Sequence, residues 1–124
     1  MPKSPGQILK NKSGYKINGS LWIEFKGLRF FGPGPVELLL LIRETGSIRQ
    51  AAKKMEMSYQ KAWAIIKTLN GQSSQPLVIV QSGGKKGGGT ELTADALELI
   101  SYYTQLRKRF DSFLQNETKR MEAG

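Results

Sequence analysis

The chain contains neither cysteine nor histidine. The first absence rules out disulfides and thiolate metal sites. The second rules out a Ser-His-Asp or Cys-His catalytic arrangement and a histidine-ligated zinc. Acidic residues are scarce too, ten against nineteen lysines and arginines. No two of them form a recognisable catalytic pair, so an enzyme is not expected. No apolar run approaches the ~20 residues of a membrane span, and Val36 to Ile42 reads only as the core of a helix. The first residues, MPKSPGQILKNK, lack the apolar stretch of a signal peptide. The expectation is one cytoplasmic domain with no membrane partner and no cofactor.

What is abundant is positive charge. The net charge is +9, and segment 45–90 alone holds seven cations (Arg49, Lys53, Lys54, Lys61, Lys67, Lys85, Lys86) against one anion, Glu56. A surface of this kind binds a polyanion by releasing its condensed counterions. The cations are not laid along one amphipathic helix with an aromatic face, which argues for nucleic acid over a lipid surface.

Within that segment, GSIRQAAKKMEMSYQKAWAIIKTLN (46–70) carries two short helical patterns back to back, broken at Glu56-Met57. Ile48, Ala51, Ala52 and Met55 mark one buried stripe, and Ala62, Ile65, Ile66 and Leu69 mark the other. Ser47 with Gln50 has the spacing of a capping box, and Ser58 is placed to cap the second helix. Two such helices joined by a tight turn form a helix-turn-helix over 47–70, a unit that sets its second helix in the DNA major groove.

Residues 1–14 read as a flexible basic arm, and residues 15–124 as the folded domain. Ser20 to Phe31 reads as a β-hairpin turning at Lys26-Gly27, with Asn18-Gly19 as a rival turn. A helix is expected from Pro35 to about Thr45. Its run Leu38 to Ile42 covers the whole helical circumference, so cover must come from more than one side. Deep burial within the domain and a second subunit both satisfy that need; Leu40 and Leu41 are assigned to the second subunit.

Leu77 to Val80, the loop SGGKKGGG (82–89) and Thr90 to Leu92 read as strand, loop and strand, the wing of a winged helix over 77–92. The loop lacks the Gly-Lys-Ser/Thr ending of a nucleotide-phosphate loop. Thr93 caps a long helix over 93–116, with a frayed tail from about Glu117. There Leu99, Tyr103, Leu106, Phe110 and Phe113 step by 4, 3, 4 and 3, the seam of packed helices, and are assigned to a dimer interface.

Together these segments give a mainly α fold with a small β content: a winged helix-turn-helix with an N-terminal β-hairpin and a long C-terminal dimerisation helix. The order of motifs resembles the N-terminal domain of the molybdate-responsive, ModE-type transcriptional regulators. The Ser58-Tyr59-x-x-Ala62-Trp63 run and the Gly-Gly-Lys-x-Gly-Gly-Gly wing are its most specific points, and the resemblance covers roughly residues 20–115. A broader likeness to LysR-type winged helices rests on the helix-turn-helix and Leu92-Thr93. The ModE resemblance implies a dimeric regulator that binds double-stranded DNA, with molybdate or tungstate held by a separate C-terminal domain. This chain ends where that domain would begin, so a stand-alone form is the expectation.

The residues expected at DNA follow from the helix-turn-helix geometry. Gln60 suits adenine, Lys61 guanine or phosphate, and Tyr59 phosphate or a thymine methyl. Arg49, Lys53 and Lys54 on the first helix contact the backbone, Lys67 lies on or beside the outer face of the second, and Lys85 and Lys86 sit against phosphates at the wing tip. Ser58 and Trp63 complete the set, Trp63 either packing under the wing or touching DNA. The expected target is an operator or promoter with an inverted repeat, bound by a homodimer. Two alternatives stand beside it: a small dimeric molybdate- or oxyanion-binding protein, and a non-specific architectural protein.

Overall fold

A computed structural model describes residues 2–81 and 89–123. These fall into two compact units, one of residues Trp22–Tyr103 and a smaller one that joins Met1–Leu21 to Thr104–Gly124.

The larger unit opens with a hairpin, β1 (Ile23–Phe25) and β2 (Leu28–Phe31), paired antiparallel. Its turn is Lys26-Gly27, with φ of 51° and 83°. Two successive positive φ values give the twist that matches the flanking strands; Gly27 adopts its value without steric cost, whereas Lys26 holds a left-handed conformation that glycine or asparagine would take more readily. The rival Asn18-Gly19 is not the hairpin turn. α2 (Pro33–Thr45) follows. It starts two residues earlier than expected, because Pro33 and Pro35 both sit in the first turn, where backbone N–H groups have no helical partner to lose. Val36 N closes the first bond to Gly32 O at 3.0 Å.

α3 (Ile48–Lys54) and α4 (Tyr59–Gly71) form the expected helix-turn-helix. α3 ends in a paired closure: Glu56 N donates to Lys53 O and Met57 N to Ala52 O, at 3.1 and 3.0 Å. This is a Schellman end, with Glu56 in the left-handed region at φ 55° where glycine is usual. The half-buried Met57 then packs on the core.

β3 (Val78–Val80) and β4 (Thr90–Leu92) pair antiparallel and form the base of the wing. The loop between them, including Lys85 and Lys86, lies outside the described residues. α5 spans Ala94–Ala123. Thr93 caps it as expected, its hydroxyl accepting from Ala96 N at 3.2 Å and donating to Pro76 O at 2.9 Å.

The core of the larger unit is one cluster built from Phe31, the inner face of α2 (Leu38, Leu39, Ile42), α3, α4, β3 and the first turns of α5. Tyr103 belongs to it. Assigned to a dimer interface from its place in the seam, it is 5% exposed within its own chain. It meets Phe31 edge-on at 5.8 Å between ring centroids, a favourable aromatic geometry. The seam's periodicity shows which face of α5 is apolar but not what covers it.

In the smaller unit the expected arm contains one helical turn, α1 (Pro5–Ile8), with a Ser4–Gln7 capping box. The tail expected to fray at Glu117 is helical to Ala123. Residues 15–19 supply the reason. Ile17 N donates to Thr118 Oγ1 at 2.9 Å, Tyr15 N to Glu122 Oε2 at 3.3 Å, and Arg107 to Gly19 O at 3.1 Å. A side chain at position 19 would come within 3.2 Å of the Phe110 ring, so glycine permits the close approach. Arg107 is tied here and to Asp111 at 3.0 Å. Among the described residues, no helix is long and apolar enough to cross a membrane.

Asn70, near the end of α4, links that helix to the wing. Its Oδ1 accepts from Leu77 N and Val78 N at 2.8 and 3.0 Å, and its Nδ2 donates to Val78 O at 2.9 Å. Asn70→Ala leaves two N–H groups and a carbonyl without partners, and is expected to cost about 2–3 kcal/mol in urea unfolding. Asn70→Asp keeps the acceptor and loses the donor, so it should fall between alanine and wild type. A loss below about 0.5 kcal/mol for alanine would show that the clamp is not a stabilising contact.

Candidate nucleic-acid interface

The surface built by α3 and α4 follows from what each helix must bury. Ala62, Ile66 and Leu69 are inside. The helical period therefore puts Gln60, Ala64 and Lys67 on the opposite side of α4 and Tyr59, Lys61 and Thr68 beside it. Gln60, Lys61, Ala64, Lys67 and Thr68 are all exposed, and Tyr59 is 40% exposed. Trp63 is half-buried and packs on the core, which favours the packing side of its two readings.

Both N-caps form. Gln50 N donates to Ser47 Oγ and Lys61 N to Ser58 Oγ, each at 3.1 Å. Ser58 is thus engaged by the helix end, and Gln50 serves the cap through its backbone. Arg49 stacks on Tyr59, guanidinium carbon to ring centroid 4.7 Å. This cation–π pair joins α3 to the first residue of α4 and orders two residues of the candidate set together. Lys53 is exposed, while Lys54 pairs with Glu44 at 3.2 Å. Among the described residues the other ion pairs are Arg107–Asp111 and Arg120–Glu117, so Arg49, Lys53, Lys61 and Lys67 have their charge uncompensated.

The wing root is fixed to this surface. Thr90 N donates to Gly46 O, in the turn before α3, at 3.0 Å, and Gln81 N to Gly89 O at 2.8 Å. A concavity of about 220 Å³ lies between, lined by Ser47, Arg49, Tyr59, Gln81 and Gly89 among others. On the other side of α4, Arg29 and Phe30 of β2 share a groove of about 230 Å³ with Lys61, Ala64 and Thr68. The structure thus pairs Arg49 with Tyr59 on one flank of α4 and Lys61 with Arg29 on the other, and two of its contributors, Arg29 and the wing-clamping Asn70, are residues that the sequence did not flag. An Asn-Gly pair at a helix end and an arginine in a hairpin are too common to stand out without their neighbours.

Residues assigned to dimerisation are spread over both units. Leu40 is 43% and Phe113 57% exposed, while Leu41, Leu99, Leu106 and Phe110 are half-buried. Phe110 also stacks with Arg107, 5.4 Å from guanidinium carbon to ring centroid.

Residues 35–97 match the family described as "Bacterial regulatory helix-turn-helix protein, lysR family". The chain belongs to this family. The match covers α2, the helix-turn-helix, the wing and the start of α5. Among relatives, a transcriptional regulator ModE of Haemophilus influenzae is 41% identical over 88 residues, covering 71% of this chain and 34% of that protein. A molybdenum transport protein ModE of Azotobacter vinelandii is 37% identical over 86 residues, 69% of this chain and 32% of its own length. The DNA-binding transcriptional dual regulator ModE of Escherichia coli K12 is 41% identical over 86 residues, 66% of this chain and 33% of that protein. The chain spans about a third of the length of these relatives.

Removing the hydroxyl that caps α4 tests the geometry of its entry. Ser58→Ala should lower stability by about 1 kcal/mol in thermal or chemical denaturation, with Ser58→Asp close to wild type. Equal stability of the alanine variant would mean that the cap is not formed in solution.

Proposed function

We propose that the chain is a sequence-specific, double-stranded DNA-binding transcriptional regulator that acts in the cytoplasm as a homodimer, on an operator with an inverted repeat. The observation that carries this reading is the outer face of α4, where Gln60, Lys61, Ala64 and Lys67 are exposed. The inner stripe of Ala62, Ile66 and Leu69 holds that face outward, and the flanking Arg49–Tyr59 stack adds an uncompensated cation. Family membership supports the same reading. The names of the ModE relatives support a link to genes concerned with molybdate.

In this reading Gln60 and Lys61 read bases, and Arg49, Lys53 and Lys67 bind phosphates. Lys85 and Lys86 add affinity from the wing loop. The test is selection of bound duplexes from a random pool, followed by a salt titration on the winner. Affinity should fall with a log–log slope of about −0.9 per phosphate contact. Gln60→Ala should cost roughly 1–3 kcal/mol and blur one base position. No enriched sequence together with a flat salt titration would sink the proposal; strong salt dependence without enrichment would turn it into the architectural reading.

The dimer is supported by apolar side chains that the single chain leaves in water, Leu40 on α2 and Phe113 on α5. Each is already about half covered, so burying the rest on association would contribute on the order of 1 kcal/mol per side chain. Sedimentation equilibrium at micromolar concentration should give a dimer, and Leu40→Asp or Phe113→Asp should shift it to monomer. A wild-type chain that remains monomeric even on its duplex would defeat the inverted-repeat arrangement.

A further inference from the structure

The two grooves beside α4 are lined by different residues of that helix. One has Tyr59, together with Arg49 and the wing-root residues Val80, Gln81 and Gly89. The other has Lys61, Ala64 and Thr68, with Arg29 and Phe30 of β2 across from them. At about 100° per residue, Tyr59 and Lys61 project roughly 200° apart. The grooves are therefore on opposite flanks of the helix, and α4 sits between two β-hairpins: the wing on the Tyr59 side and β1–β2 on the Lys61 side. The β1–β2 hairpin lies outside the 35–97 family match.

The second hairpin presents a prepared cation. Arg29 is exposed, and its guanidinium carbon lies 3.7 Å from the centroid of the Trp22 ring. The indole is itself held, its Nε1 donating to Glu24 Oε2 at 2.8 Å. Glu24 is the residue opposite Arg29 in the strand register, so the nearest carboxylate on the pairing strand is occupied by the indole. Among the described residues no ion pair involves Arg29 or Lys61. A guanidinium stacked on an aromatic face keeps its in-plane N–H donors free, and it has already given up much of the rotamer freedom that binding would cost.

We propose that the β1–β2 hairpin is a second DNA-contacting element. Arg29, beside Lys61, binds a backbone phosphate along the edge of the major groove opposite the edge that the wing approaches. This rests on the DNA-binding reading above and adds to it a contact on the recognition helix's other side. A duplex is the occupant that the charge favours: Arg29 continues the uncompensated cationic surface of α3 and α4, and phosphates flank a major groove on both sides. The exposed Phe25 and Leu28 at the hairpin turn would suit a protein partner instead, and the test separates the two.

The test uses the full chain, a duplex of ~25 bp selected on the wild type, and a random duplex of equal length, with binding followed by fluorescence anisotropy across a salt series. Arg29→Gln is expected to weaken binding to both duplexes by roughly 3–10-fold near ~0.1 M salt and to make the log–log slope shallower by about 1. Arg29→Lys should retain the slope. Arg109→Gln, an exposed cation of α5, should change neither. In hydroxyl-radical footprints, Arg29→Gln should lose protection on one flank of each half-site and keep it on the other. If Arg29→Gln retains its circular dichroism spectrum and matches wild type in affinity, slope and footprint, the hairpin does not touch DNA and the proposal is overturned. Loss of capture of another protein, with duplex binding intact, would overturn it equally. A wild type that binds neither duplex would remove the DNA-binding reading and this inference together, whereas a tight wild type with an indifferent Arg29 removes the inference alone.

Discussion

The seating of α4 rests on small side chains. Ala51 and Ala52 of α3 and Ala62 of α4 are all but fully buried, on two helices that pack against each other. Alanine at such positions lets helix axes come close, and an added methylene in a packed core costs typically 1–3 kcal/mol because neighbours must move. With the inner stripe of α4 fixed, the direction of Gln60, Ala64 and Lys67 has no freedom left. The Schellman end at Glu56 and the cap at Ser58 then set the angle at which α4 leaves the turn. What α4 presents to solvent is thus decided by residues that never reach it.

Much of this was readable in the chain, for definite reasons. The helix-turn-helix announces itself because its two stripes have the helical period and its caps are serines at the right distance. The hairpin between Ser20 and Phe31 is readable, but its turn is less so, because positive φ at both turn positions suits Asn18-Gly19 at least as well as Lys26-Gly27. Other features depend on tertiary partners that sequence does not name. Periodicity finds the apolar face of α5 but cannot divide it between Phe31 and a second chain, so the place of Tyr103 in the chain's own core is not legible from it. The end of α5 looked frayed because its support, the backbone of Tyr15 and Ile17, is about a hundred residues away in sequence. Asn70 and Arg29 gain meaning only from the strand and the groove beside them.

Charge compensation separates the cations better than charge counting does. The segment around the helix-turn-helix is rich in lysine and arginine, yet its members are not equivalent. Lys54 is paired with Glu44, though both are largely exposed, and a pair of that kind contributes at most about 1 kcal/mol. It therefore constrains Lys54 only weakly. Arg49 and Arg29 are held by aromatic rings instead of carboxylates. A ring orders the side chain without neutralising it, so the charge is kept and its position is set. Each of these arginines stands beside a different flank of α4.

That arrangement bears on how so short a helix could bind selectively. In the proposed reading few residues of α4 reach base edges, and each good base contact is worth only about 1–3 kcal/mol of discrimination. Contacts of that size decide between sequences only if the helix is held in one register over the groove. A wing alone fixes one side and leaves the helix able to roll about that edge. A second hairpin contact across the helix would remove the roll, because two phosphate anchors on opposite flanks define an orientation where one defines only a hinge. The strand-to-helix bonds of Asn70 and the backbone bond from Thr90 to Gly46 hold the wing's side of the frame. Packing of Phe30 and Phe31 against the core holds the other. On this view, base selectivity depends on the stiffness of the frame around α4 as much as on the chemistry of Gln60 and Lys61.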